Sequence, residues 1–231
     1  MSQAIGRREM IGVSGLAGIA MVAGAWGEES ATPEKPAKRK IISVNCSPRA
    51  GKTTGAALEL VLAAARESRP DIDTELIELG GLSIPAQLAA GLPLRPGETD
   101  DFPALIPKFM DPSVAAIVVG SPVYFGNMSA LCKAFLDRCM VFRKDGFKLA
   151  NKFAAALAVG STRNGGQELT VQSIHTALMG QNVIIVGTGQ PSVRIGATLW
   201  NQDDAIEADE FGKGTARDLG RHLAELIGEL S

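Results

Sequence analysis

The run Val114-Ala-Ala-Ile-Val-Val-Gly120 is apolar from end to end. A segment this short, with four β-branched residues, reads as a strand covered on both faces. A sheet buried on both sides needs a helical layer above and below, which restricts the chain to α/β architectures with parallel strands. The neighbouring segments agree. Lys40–Cys46 is a β-branched run stopped by Ser47-Pro48, after which Leu58, Val61, Leu62 and Ala65 recur at helical spacing. Thr74–Leu79 alternates as a strand with one exposed face. Met128, Leu131, Cys132, Phe135, Leu136, Cys139 and Met140 then line one face of a helix that carries Lys133, Asp137 and Arg138 on the other. Phe153–Val159 and Val183–Val186 supply two further buried strands, with a helix around Glu168–Met179 between them. Ala216, Leu219, Leu223, Leu226, Ile227 and Leu230 line a closing helix. The pattern predicts an α/β fold: a doubly wound five-stranded parallel sheet with helices on both faces. In such sheets ligands bind beyond the carboxyl ends of the strands, where the winding direction switches.

The 231 residues leave room for one ordinary domain and an appendage. Lys and Arg total 23 against 25 Asp and Glu, and no basic block exceeds Lys38-Arg39-Lys40, so there is no electrostatic footprint for nucleic acid. Three cysteines, Cys46, Cys132 and Cys139, make no disulfide scaffold and offer no metal-ligand spacing.

The appendage is at the N-terminus. Arg7-Arg8 precedes an uncharged run, Met10–Ala25, that ends in Ala23-Gly24-Ala25, the layout of a signal peptide; a buried N-terminal helix is the plainer alternative. At 16 residues the run is shorter than the roughly 20 a membrane-crossing helix needs, so no permanent membrane anchor is expected. The paired arginines ahead of a Gly/Ala-diluted segment resemble a twin-arginine export signal, with Met10 at the usual aromatic position. Residues 1–25 are therefore read as a twin-arginine-type signal peptide directing the protein to the periplasm. Residues 26–39, with Glu28-Glu29, Pro33 and Pro36, read as a flexible linker, and 40–231 as the folded domain.

Three loops at the carboxyl ends of predicted strands carry the chemistry. The first, Ser47–Thr54, offers hydroxyls at Ser47, Thr53 and Thr54, a flexible Gly51, free N–H groups at a helix start, and charge at Arg49 and Lys52. Together these can hold a phosphate dianion. A polar capping loop with surface cations is the alternative. Gly51-Lys52-Thr53 also fits the end of the GxxxxGK[ST] pattern. The place of its first glycine is taken by Cys46, however, and the strand Ala115–Val119 ends in Gly120-Ser121 without a carboxylate for magnesium, so a P-loop-like nucleotide hydrolase is a third-ranked reading. The second loop, Ser121–Asn127, contains Pro122, Val123, Tyr124, Phe125, Gly126 and Asn127. It can present backbone amides beside a flat apolar wall suited to a planar heterocycle, or simply pack its aromatics on the core. The third, Gly160–Gly166, contains Ser161, Thr162, Arg163, Asn164, Gly165 and Gly166, with glycines where backbone must approach a ligand closely. Gly80–Pro112 interrupts the alternation and holds six of the twelve prolines, the mark of a functional or partner-facing loop.

Taken together, Ser47-Pro48-Arg49 with Gly51 and Thr53-Thr54, Ser121–Gly126 followed by Ser129-Ala130, Lys133, Phe135 and Asp137-Arg138, and Gly165-Gly166-Gln167-Glu168 with Thr170 resemble the flavodoxin-like NAD(P)H-dependent FMN reductases, nearest the iron-sulfur flavoprotein branch. The resemblance runs from about Lys40 to the C-terminus, through Asp209-Glu210-Phe211-Gly212. It implies a flavodoxin-like sheet, noncovalent FMN with its phosphate in the first loop and its ring against the second and third, and assembly into homodimers or homotetramers. The branch carries its cluster-ligating cysteines between the second and third strands. From Ser47 to Leu131 this chain has no cysteine, so no iron-sulfur cluster is expected. Cys132 and Cys139 lie about 10 Å apart along a helix and read as core residues; Cys46 reads either as a buried small residue or as a reactive thiol in an electropositive loop.

The resemblance further implies a hydride passing from NAD(P)H to FMN and two electrons going on to a small-molecule acceptor such as a quinone or free flavin. No side-chain acid or base is needed, and His175 and His222 read as structural or solvent-facing. Export weighs against a nicotinamide donor, which leaves open an exported flavin-binding electron carrier with another donor.

Overall fold

The computed structural model describes residues 38–229; the signal-peptide segment and residues 26–37 of the predicted linker lie outside the described residues. The first strand, β1, is Arg39–Asn45, one residue earlier than the sequence suggests. It is followed by α1 (Thr53–Ser68), β2 (Ile72–Glu78), the short α2 (Ile106–Met110), β3 (Val114–Tyr124), β4 (Asn127–Met128) and α3 (Ala130–Arg138). Then come α4 (Met140–Lys144), β5 (Phe153–Gly160), α5 (Gln167–Met179), β6 (Ile184–Ile185), β7 (Ala197–Trp200) and α6 (Glu210–Glu229).

The sheet order is β2-β1-β3-β5-β6, all parallel. The chain steps from β1 to β2 on one side and then crosses to β3 on the other, so the winding switches between β1 and β3. Period-two alternation divides the strands between two cores. On β5, Ala154, Ala156 and Ala158 join the core that holds Phe135 and Ile174, while Ala155, Leu157 and Val159 join the one that holds Leu58, Val61, Leu219 and Leu223. The predicted doubly wound, flavodoxin-like sheet is the observed one.

The fifth strand is split. Val183–Val186 was expected as a complete strand, but only Ile184 and Ile185 pair with β5, opposite Phe153 and Ala154. Its carboxyl half is covered by β7, with Leu157 to Gly160 opposite Ala197 to Trp200. Between the two pieces the chain folds on itself: Thr188 N–H donates to Arg194 O at 2.9 Å, and Arg194 N–H donates to the Thr188 hydroxyl at 2.8 Å. The helix expected through Met140 also divides, at Cys139, into α3 and α4.

Gly80–Pro112 is a packed cover. It contains 3-10 turns at Ala86–Ala90 and Phe102–Leu105. Phe102 and Phe109 stand tilted against Phe135 and Phe142, with ring centroids 5.6 to 6.3 Å apart. Arg138 lies over the Phe102 ring and grips Asp100 through two hydrogen bonds of 2.9 and 2.8 Å. All three cysteines are buried and reduced. Burial first, and the adjacent Cys132 thiol second, push the Cys46 thiol well above its ordinary value, which decides for the small core residue over the reactive thiol. No described helix is long and apolar enough to cross a membrane.

Candidate functional site

The end of β1 shapes the first loop. Asn45 Oδ1 accepts the Ser47 N–H at 3.0 Å while its amide donates to Glu78 at 2.7 Å, tying β1 to β2 where the chain leaves the sheet. Ser47 Oγ accepts the Arg49 N–H at 3.1 Å and turns the loop. Gly51 has φ +65° with open space where a side chain would begin, so glycine serves the backbone conformation there and leaves the surface clear. The first bond of α1 runs from Ala56 N to Lys52 O. The N–H groups of Thr53, Thr54 and Gly55 therefore precede the helical ladder, no residue of the first turn is acidic, though the Glu78 carboxylate of β2 lies against Gly55, and Lys52 makes no side-chain cap. Ser47, Thr53 and Thr54 are buried beside these donors, and Arg49 and Lys52 are exposed around them. Donors, dipole and cations of this kind make a seat for an anion.

The second loop is tighter than expected. β3 continues through Ser121, Pro122, Val123 and Tyr124, and pairs antiparallel with β4, Val123 opposite Met128 and Tyr124 opposite Asn127. Phe125 (φ 51°) and Gly126 (φ 73°) alone form the turn. Phe125 is fully exposed and Tyr124 about half so, giving an aromatic edge on solvent rather than core packing. Ser129 locks the hairpin down. Its hydroxyl donates to Cys46 O at 2.7 Å and accepts the Cys132 N–H at 3.0 Å, while its own N–H donates to Ser121 Oγ at 2.9 Å.

The third loop lies against the second. A Cβ on Gly166 (φ +98°) would fall 2.8 Å from Gly126 Cα, so the two loops meet through two glycines. Gln167, which the sequence marks only as part of the family motif and to which it gives no role, fills the space above Gly160 and donates to Thr162 O at 2.6 Å and Leu199 O at 3.2 Å. Ser161, Thr162, Arg163 and Asn164 are exposed along this rim, and Gly165 packs on Thr162. Arg163 turns away from the first two loops: its guanidinium pairs with buried Asp209, which also accepts the Trp200 and Gly212 N–H groups at 2.8 Å, and lies over Phe211.

All three predicted loops thus open at the carboxyl edge of β1, β3 and β5. Besides the role of Gln167, sequence reasoning missed Asn45 and Glu78, whose role needs the β1–β2 pairing to be known. Asp204, whose acidic stretch Asp203-Asp204 the sequence leaves either at the mouth of the site or covering the sheet edge, meets the first loop, with one carboxylate oxygen 2.7 Å from Arg49 Nη1 and the other 3.5 Å from Lys52 Nζ; these cations, Arg49 first, hold its carboxyl below the ordinary range. His175 is buried on α5 with its Nε2 unpartnered, and His222 contacts Gly187 O at 3.1 Å. Both stand outside the three loops.

The fold and site define a flavodoxin-like α/β protein with an anion seat and an aromatic edge at the switch point of its sheet. Residues 39–198 match the family of NADPH-dependent FMN reductases, and the chain belongs to that family; it is an NAD(P)H-dependent flavin oxidoreductase. It is 36% identical over 193 residues to an iron-sulfur flavoprotein of Methanocaldococcus jannaschii, covering 81% of this chain and 97% of that one. It is 32% identical over 165 residues to an NAD(P)H dehydrogenase (quinone) of Chromohalobacter salexigens, covering 64% and 79%. The fold is also that of a flavodoxin, WrbA-like protein of Agrobacterium tumefaciens, with a TM-score of 0.56 at 15% identity over 84% of this chain and 99% of that one.

Proposed function

We propose that the chain binds FMN at the three loops and passes electrons from NAD(P)H through it to a small acceptor such as a quinone or free flavin. The observation that carries this reading is the start of α1 at the switch point, where three backbone donors ahead of the helical ladder, the buried hydroxyls of Ser47, Thr53 and Thr54 and two exposed cations come together. Ser47, Gly51, Thr53 and Thr54 would hold the phosphate, with Arg49 and Lys52 supplying charge. Pro122 to Asn127 would wall the ring on one side and Ser161 to Gly166 on the other, with the Gly126–Gly166 contact fixing the gap between them. Bound FMN supplies the two-electron chemistry, and the protein supplies placement and dipoles directed at the charge that develops on the ring. Arg163 shapes the rim through Asp209 in this reading rather than touching the cofactor. No iron-sulfur cluster is part of the proposal, because the stretch from Ser47 to Leu131 has no cysteine to ligate one.

The exposed Met140, Leu169 and Met179 on and beside the helices of one face support self-association as a homodimer or homotetramer. The N-terminal Arg7-Arg8 segment supports export to the periplasm by a twin-arginine-type signal. That segment also favours the second reading, an electron carrier served by a donor other than a nicotinamide. Anaerobic addition of NADPH or NADH to the flavin-loaded protein separates the two. Rapid bleaching of the flavin bands is expected; bands that persist would replace the reductase with the carrier.

A further inference from the structure

Asp203 and Asp204 form the tip of a two-residue turn between β7 and α6. Gln202 and Ala205 exchange both backbone hydrogen bonds at 2.9 Å, and both aspartates have left-handed φ, 52° and 62°. This is the type I′ geometry that Asn-Gly or Gly-Gly adopts most easily, and two adjacent carboxylates are unfavourable in it on conformation and on charge alike. Contacts made by Asp204 offset that cost. Its carboxylate receives Arg49 at 2.7 Å across 155 residues of sequence, and Lys52 at 3.5 Å. Both ion pairs run to Asp204 rather than to Asp203.

These two cations are the ones assigned above to the cofactor's phosphate. A carboxylate that offers one oxygen to each reproduces part of a phosphate's charge and acceptor pattern. We infer that Asp204 is a built-in competitor for the phosphate seat: it holds Arg49 and Lys52 until an arriving phosphate monoester displaces it, and the turn tip then releases its hold on both. The inference rests on the FMN reading. With Asp204 in place, the two cations and the carboxylate together carry one net positive charge instead of two. An anion with no other contacts, such as inorganic phosphate, gains little by displacing the carboxylate. FMN, whose ring also meets the second and third loops, does displace it. Asp204 thus weakens every phosphate at the seat by a common factor, which leaves bare phosphate too weak to occupy it while FMN, held also by its ring, still does.

The test is fluorescence titration of the apo protein with FMN, and separately with riboflavin, for wild type, Asp204→Asn and Asp203→Asn. Asparagine tolerates the left-handed region, so both variants keep the turn. Asp204→Asn is expected to bind FMN about three- to fivefold more tightly, as loss of a solvent-exposed ion-pair competitor implies. Riboflavin affinity should not change, and Asp203→Asn should stay within about twofold of wild type, its carboxylate lying outside both ion pairs. Asp204→Asn that binds FMN no more tightly, or that gains equally for riboflavin, overturns the competitor while leaving the FMN reading in place. A wild-type protein that takes up neither ligand overturns both.

Discussion

Gly126 and Gly166 meet across the site so closely that a Cβ on Gly166 would stand 2.8 Å from the Gly126 α-carbon. The contact sets the spacing of the aromatic hairpin and the α5 loop, and Gly166 is left-handed at φ +98° besides. Gly166→Ala is therefore expected to cost about 1–3 kcal/mol and to lower bound flavin. Gly51 is the contrast: it too is left-handed, but nothing stands within 4 Å of its missing side chain, so Gly51→Asn should cost less than about 1 kcal/mol. Thermal melts and flavin content of the two variants check the difference.

The phosphate seat makes a separate prediction. Thr54 is buried at the start of α1, and Thr54→Val removes its hydroxyl while keeping its shape. Loss of one hydrogen bond to a charged group, about 1.5 kcal/mol, should raise the Kd for FMN roughly tenfold while leaving that for riboflavin unchanged. Equal losses for both flavins would place the phosphate elsewhere.

These particulars show what could be read from the sequence. β1, β3 and β5 were visible as apolar runs and α1, α3 and α6 as periodic faces, because each buries a continuous stripe or face that local order displays. The three loops followed from their places after those strands. Ala197–Trp200 went unread because it is too short for a pattern of its own and is a strand only through pairing with β5. The Phe125-Gly126 turn was hidden by a phenylalanine in a left-handed position that asparagine or glycine usually fills. Asp204 could not be placed against the first loop, since its meaning lies in a contact with Arg49 that no local signal marks.

Arg138 and Asp100 hold the proline-rich cover to α3 through two nearly buried hydrogen bonds. Arg138→Ala leaves that carboxylate unpaired and should cost about 2 kcal/mol. The Arg138 hydrogen bond is the main reason the Asp100 carboxyl is held below its ordinary value. Its contribution is thus complete above the ordinary carboxylate range and fades as pH falls through the lowered value. Denaturation as a function of pH should show Arg138→Ala and wild type converging in strong acid.

Burial holds His175 down to about 4 against an ordinary 6.5. Between those values the unfolded chain takes up a proton that the folded chain refuses, so stability declines as pH is lowered from 6.5 towards 4 and is independent of this group above 6.5. His175→Leu should remove that part of the acid sensitivity. Because His175 Nε2 has no partner, the variant should melt no lower than wild type at neutral pH.

The most direct measurement is the visible absorbance spectrum of the purified protein, followed by identification of any flavin released on denaturation. The expected result is flavin bands shifted from those of the free cofactor, with one FMN released per chain. A colourless protein whose titration with FMN leaves the cofactor's spectrum unshifted would contradict it.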